Sequence, residues 1–233
     1  VAIKDNLIVV GNSYRASVFV FIKPESGWSN STQTAKLSLS ENHVGGMLGQ
    51  VVAISGNTVL ASASGYTCNG NDGKYDRCGT VCIYEMPASG WIDMTETGKI
   101  FPQTKRKYQG FGTSIAVEGN TLVVGAPEGD RDFGISTIMK GVAYVFQKQQ
   151  GQSWGQATPS ARLDLSKDNS VFGINVAVSP NEQTIAIEYP RGYSGEEEHM
   201  GEVAIFEKSS GGWCDTNIET AILNAPSQSQ NNY

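Results

Sequence analysis

"GFGTSIAVEGNTLVVGAP", residues 110–127, decides the fold. It is two short apolar runs joined by Glu-Gly-Asn. Each run alternates as a half-buried strand does. Gly-Asn between them supplies the positive φ angles of a two-residue hairpin turn. The unit recurs as "LGQVVAISGNTVLASAS" from Leu48, as "FGINVAVSPNEQTIAIEYP" from Phe172 and, without its first four residues, as the opening "VAIKDNLIVVGNS". The central alanines are Ala2, Ala53, Ala116 and Ala177, and four residues after each stands an asparagine: Asn6, Asn57, Asn120 and Asn181. Ser-Pro-Asn-Glu-Gln in the last copy predicts a longer hairpin there.

Each unit continues in the same order. A third apolar run ("ASVFVFIK", "GTVCIYEM", "GVAYVFQK", "GEVAIFEK") is followed by a polar turn and a tryptophan. Trp28, Trp91, Trp154 and Trp213 are all the tryptophans of the chain, spaced 63, 63 and 59 residues apart. A fourth, weaker run closes the unit ("AKLSL", "GKIF", "ARLDL", "AILNA"). A period of this length with four strands per unit means a β-propeller, in which each blade buries its faces against its neighbours. The blades are expected at about 1–44, 45–109, 110–170 and 171–233. Each tryptophan is expected to cover the edge of its own sheet, with its indole N–H needing a partner.

In-register Phe-Gly, Gly-Ala-Pro and Gly-x-Ala-Tyr-Val-Phe resemble the FG-GAP repeat of the integrin α-subunit propeller and its relatives. The third unit fits best, with Phe111-Gly112 and Gly125-Ala126-Pro127. The fourth keeps Phe172-Gly173 but has Glu188-Tyr189-Pro190, the second has Leu48-Gly49 and Ser62-Ala63-Ser64, and the first only Gly11-Asn12-Ser13. The resemblance implies an all-β propeller of four-stranded antiparallel blades. Family propellers usually have seven, so this four-bladed chain is expected to belong to a larger propeller or to have its open ends covered by a partner. Many family blades carry a calcium loop between their first two strands. Here that connection is a tight turn in three units, with too few carboxylates for a cation that takes six to eight oxygens. Asp72 and Asp76 preserve half such a motif elsewhere, but its earlier positions fall on Cys68 and Gly70, so a disulfide-closed turn is expected and no metal or cofactor.

Composition narrows the function. Charged residues are only 17% of the chain against 39% hydrophobic, and no window supplies a long amphipathic helix. With a net charge of −6, Lys105-Arg106-Lys107 is the only basic run, so the basic face of a nucleic-acid binder is missing. No apolar run approaches the ~20 residues that span a bilayer. Cys78 and Cys82 lie roughly 13 Å apart along one strand, too far to bond. Cys68 and Cys78 flank a Gly/Asn/Asp loop and are placed to close it. No nucleophile elbow, phosphate loop or His-Glu-x-x-His occurs. The two histidines, His43 and His199, fall in an inter-blade linker and beside Glu196-Glu197-Glu198.

The most variable connections join second and third strands, at 12–16, 65–78, 128–140 and 189–200. They should emerge on one face and carry Tyr14, Tyr66, Tyr75, Phe133, Tyr189 and Tyr193, the residue types of adaptable recognition loops. Asn30-Ser31-Thr32 is a glycosylation sequon in an exposed turn. The expected function is a non-catalytic extracellular or cell-surface module binding a protein or glycan through this face. Two other readings stand beside it: a structural subunit of a larger assembly, and an enzyme-associated domain, since a propeller of this kind accompanies a phospholipase in the family's wider circle.

Overall fold

In the computed structural model the described residues are 1–41, 46–70, 73–128, 141–165, 171–190 and 201–224. They form four successive antiparallel sheets. The first contains β1 (Ala2–Lys4), β2 (Leu7–Asn12), β3 (Ser17–Ile22) and β4 (Ala35–Ser38). The second contains β5 (Leu48–Ser55), β6 (Thr58–Ala63), β9 (Thr80–Glu85) and β11 (Gly98–Ile100). Between these strands lie a small hairpin, β7 (Cys68–Gly70) and β8 (Gly73–Tyr75), and the two-residue β10 (Met94–Thr95). The third sheet is β12 (Ser114–Glu118), β13 (Thr121–Ala126), β14 (Val142–Gln147) and β15 (Thr158–Leu163). The fourth is β16 (Asn175–Val178), β17 (Thr184–Pro190), β18 (Gly201–Glu207) and β19 (Ala221–Asn224). Within each sheet the four strands lie side by side in chain order, the meander of a propeller blade.

The hairpin turns have one left-handed residue each, the one before the asparagine: Asp5 (φ 53°), Gly56 (56°) and Gly119 (51°). The asparagine itself contributes its carbonyl. Asn6, Asn57 and Asn120 accept the N–H groups of Lys23, Met86 and Lys148 at 2.7, 2.9 and 3.1 Å, closing the end of the third strand over the turn. The fourth hairpin is longer, and one of its two extra residues reaches across to the neighbouring blade. The Glu182 carboxylate accepts the Asn120 N–H at 3.1 Å and the Thr121 hydroxyl at 2.6 Å.

Four sheets make three cores, one in each seam. Leu7, Val9, Val18, Val20 and Leu37 of the first sheet pack against Leu48, Val59, Ala61 and Tyr84 of the second. Leu60, Val81 and Ile83, from the other face of the second sheet, meet Phe111, Leu122, Val124 and Phe146 of the third. Val123, Ala143 and Val145 meet Phe172, Ile185, Ile187 and Phe206 of the fourth. β13 is therefore buried along its whole length, whereas β2 alternates between buried and half-buried. The tryptophans belong to these seams rather than to their own sheet's edge. Trp91, Trp154 and Trp213 pack into the core shared with the preceding blade, and Trp28, with no preceding blade described, is 45% exposed. The indole N–H groups of Trp154 and Trp213 are buried and find no acceptor among the described residues.

The tryptophan segment also carries a main-chain clamp onto the preceding blade. β10 adds to β4 in parallel, and the Asp93 carboxylate accepts the Lys36 N–H at 2.7 Å. In the last seam Asp215 accepts the Arg162 N–H at 2.8 Å, and Thr216 bridges Leu163 in parallel.

Candidate recognition face

The Phe-Gly dipeptide and the glycine of Gly-Ala-Pro turn out to be two halves of one joint. Antiparallel pairing puts the start of the first strand beside the end of the second, as in the 3.0 Å bond from the Gly112 N–H to the Gly125 carbonyl. The glycine after each buried Leu48, Phe111 or Phe172 is left-handed (Gly49 86°, Gly112 93°, Gly173 93°) and lies against the preceding blade. A Cβ on Gly11 would stand 1.9 Å from the Gly49 carbonyl oxygen, and one on Gly125 2.0 Å from that of Gly173. In the middle seam Ser62 takes the place, and a Cβ on Gly112 would lie 3.1 Å from its Cβ. Because the joints align equivalent ends of neighbouring sheets, the connections between second and third strands open along one rim.

On that rim the first connection is a 3-10 turn, Ser13–Arg15, capped by the Asn12 side chain accepting the Arg15 N–H at 3.1 Å. It leaves Tyr14 99% exposed. The second connection is stapled by the Cys68–Cys78 disulfide. Beyond the staple, Tyr108, Gly110 and Phe111 donate main-chain N–H bonds to Asp76, Arg77 and Cys78 at 2.7, 3.3 and 3.2 Å, so this loop is continuous with the joint of the third blade. The basic run is partly tied down: the Lys105 ammonium donates to the Asn69 carbonyl at 3.3 Å and lies 4.8 Å from the centre of the Phe101 ring.

The structure divides the aromatic candidates. Tyr14 projects to solvent, but Tyr66 and Tyr189 are buried, so they support the rim from within. Tyr66 packs against Phe101 at 5.9 Å and donates its hydroxyl to Glu41 at 3.2 Å, and the Tyr189 hydroxyl bonds Glu202. Tyr75 lies on β8, whose side chains are not described, and Phe133 and Tyr193 lie outside the described residues, as do Asp72, His43 and His199. Asp76 is exposed, as is Asn30, beside the half-exposed Trp28. Sequence reasoning missed the burial of Tyr66 and Tyr189. The available signal was position: Tyr189 lies within β17, inside the second strand rather than in the connection expected from 189, on the same face as the buried Ile185 and Ile187, and Tyr66 follows three residues after β6. Among the described residues no group of three His, Cys, Asp or Glu is placed to hold a metal ion, and no helix is long and apolar enough to cross a membrane.

An ionic cluster anchors the rim at the first seam. Lys99 bonds Glu96 at 2.7 Å, and Glu96 accepts the Ser40 N–H at 2.8 Å. Burial works against charge on both partners. Even so, the bonds from Lys99 and Ser40 hold the Glu96 carboxyl below the usual carboxylate range, and Glu96 holds Lys99 above the usual ammonium range. Burial pushes the nearby Cys82 thiol up to about 12, which makes it unreactive. Because the folded-state pKa of Glu96 is depressed, its contribution is present above the unfolded value and is lost as pH falls through the folded one. Thermal unfolding should therefore show Glu96→Gln less stable than the wild type at pH 7, with the gap closing below about pH 4.

Removing the staple tests the rigidity of the loop. For a ring of this size, Cys68→Ser with Cys78→Ser should cost about 2–3 kcal/mol. Hydrogen exchange should quicken first at Tyr108, Gly110 and Phe111. A loss of stability without local exchange there would separate the staple from the joint.

With this geometry in hand, comparison with known families finds the FG-GAP repeat at residues 94–146. The chain carries an FG-GAP repeat. The match spans the last strand of the second blade and the first three of the third, including Phe111-Gly112 and Gly125-Ala126-Pro127, and FG-GAP repeats are found in β-propeller domains. Comparison with curated proteins finds no match. Among solved structures, the chain is similar to a periplasmic gluconolactonase of Pseudomonas aeruginosa, PpgL (13% identity, TM-score 0.32, covering 57% of this chain and 32% of that one). It is also similar to a chain from a structural and mechanistic study of two prolyl endopeptidases (15% identity, TM-score 0.39, covering 90% and 27%). The chain spans about a third or less of the length of either, and likenesses this slight carry nothing about activity.

Proposed function

We propose that this FG-GAP propeller chain is a non-catalytic recognition module, acting outside the cell or at its surface, that engages a protein or glycan through the rim of second-to-third-strand connections. The observation that carries the reading is the construction of the rim. A fully exposed tyrosine stands on a capped turn, on the same rim as a disulfide-stapled loop bonded into the blade joint. Exposed aromatic and polar groups on a rigid frame bind with little ordering cost. The disulfide also fits an oxidising compartment. Asn30, exposed at the opposite end of the first sheet's third strand, is the proposed glycan acceptor and leaves the rim open.

The test is to screen the intact chain against an array of extracellular glycans and a panel of cell-surface ectodomains. Tyr14→Ala should weaken whatever binds by at least about tenfold, as removal of an interface anchor does, with the melting temperature unchanged. Binding indifferent to Tyr14→Ala and Arg15→Ala would contradict the reading. A structural subunit is the second reading. It is favoured by the uncovered apolar faces of the end sheets, where Ile3 is 68% and Leu223 56% exposed. It calls for a neighbouring blade or chain on those faces.

A further inference from the structure

The joint that links one blade to the next is altered at the outer face of the fourth. In the third blade the joint has two parts facing Gly173: Gly125, which leaves room for its carbonyl, and Ser114, paired with Gly125 across the strands, whose hydroxyl donates to that same carbonyl at 2.8 Å. The corresponding cross-strand pair in the fourth blade is Asn175 and Glu188. Both residues differ, and they satisfy each other: the Asn175 amide donates to the Glu188 carboxylate at 2.6 Å. The hydroxyl that would receive an incoming carbonyl is thus missing, one of the two Asn175 amide N–H donors is held by Glu188, and the space that glycine leaves open is taken by a carboxylate side chain. Ser62 shows that a small hydroxyl is accommodated in such a joint, its oxygen turned back to accept the Val51 N–H at 2.9 Å. A carboxylate is larger, and it would face the incoming carbonyl oxygen with a charge of the same sign as that oxygen's partial charge.

We infer that the fourth sheet is a capping blade whose outer face is closed to a further Phe-Gly blade by the Glu188–Asn175 pair. Repeat arrays need end units whose outer faces differ from the inner ones, and here the difference lies at the joint itself. The rest of that face keeps small and aliphatic side chains, Ala186, Val203 and Ile205, half-buried along its strands. Whatever occupies it does so without the glycine contact used in the other seams.

The experiment adds a second copy of residues 171–224 after Tyr233 of the full chain, with the native pair and with Glu188→Gly plus Asn175→Ser, and measures amide hydrogen exchange. With the native pair the added blade should exchange at unprotected rates. With the pair replaced, its second and third strands should become at least about a hundredfold slower, the scale of a docked element against a frayed one. Protection of the added blade on the native pair would overturn the inference, and so would its absence in both chains. As a reciprocal measurement, Ser114→Asn with Gly125→Glu in the unextended chain should release the fourth sheet while β5 and β6 keep their protection. A fourth sheet that stays protected would also overturn it.

Discussion

Gly125→Ala is expected to lower stability by about 3 kcal/mol, at the upper end of overpacking costs, and the melting temperature by roughly 6–12 °C. Gly125 is not among the left-handed glycines, so alanine suits its backbone and the cost is one of space. The new methyl would stand 2.0 Å from the Gly173 carbonyl oxygen and 2.3 Å from the Ser114 hydroxyl. The carbonyl is backbone and cannot rotate away, and turning the hydroxyl aside breaks its hydrogen bond to that carbonyl. The two blades must separate. Gly151→Ala provides the contrast: φ there is +79° and nothing lies within 4 Å, so it should cost only the left-handed penalty of about 1 kcal/mol. Equal losses in the two variants, measured by thermal unfolding, would show that the seam is looser than the geometry requires.

Phe111→Ala is expected to cost about 3–5 kcal/mol, the range for emptying a buried aromatic site. The ring is fully buried in the middle seam, with edge contacts to Tyr144 at 5.6 Å and Phe146 at 5.9 Å. Its main chain bridges Gly79 of the second blade, where a Cβ would stand 2.0 Å from the Phe111 oxygen. The cavity therefore opens between blades, and collapse is limited by backbone already in contact. Phe21→Ala, on the half-buried outer face of the first sheet, should cost less than about half as much. The pair measures how much of the fold's stability lies in the seams, and chemical denaturation reads it directly.

Much of this was legible in the sequence because it is local or repeated. The strands follow from alternation, the hairpins from Asp-Asn and Gly-Asn, and the blades from tryptophans in phase. The longer fourth hairpin was visible in its two extra residues, but Glu182 reaching Asn120 and Thr121 was not, since that bond joins residues about sixty apart. The same reason hid the role of the tryptophans: a sequence shows which unit a residue belongs to and not which neighbour it covers. The parallel addition of Met94–Thr95 to the first sheet is two residues long and leaves no period to read. On the rim, the aromatic content was legible. Which aromatics face outward was not, because Tyr66 and Tyr189 are held in by Glu41 and Glu202, acceptors that only the fold brings near. The glycines of Phe-Gly and Gly-Ala-Pro show in the sequence only as a repeated motif. Their shared use, each closing on the other across a seam, is a contact between blades.

That contact is the centre of the account, and proton NMR tests it most directly. The Gly125 Cα would lie 3.3 Å from a Cβ on Gly173, and the Gly11 Cα 3.0 Å from one on Gly49. Strong nuclear Overhauser effects are expected between the α protons of Gly11 and Gly49, and between those of Gly125 and Gly173. Their absence, with the hairpin signals within each sheet intact, would contradict it.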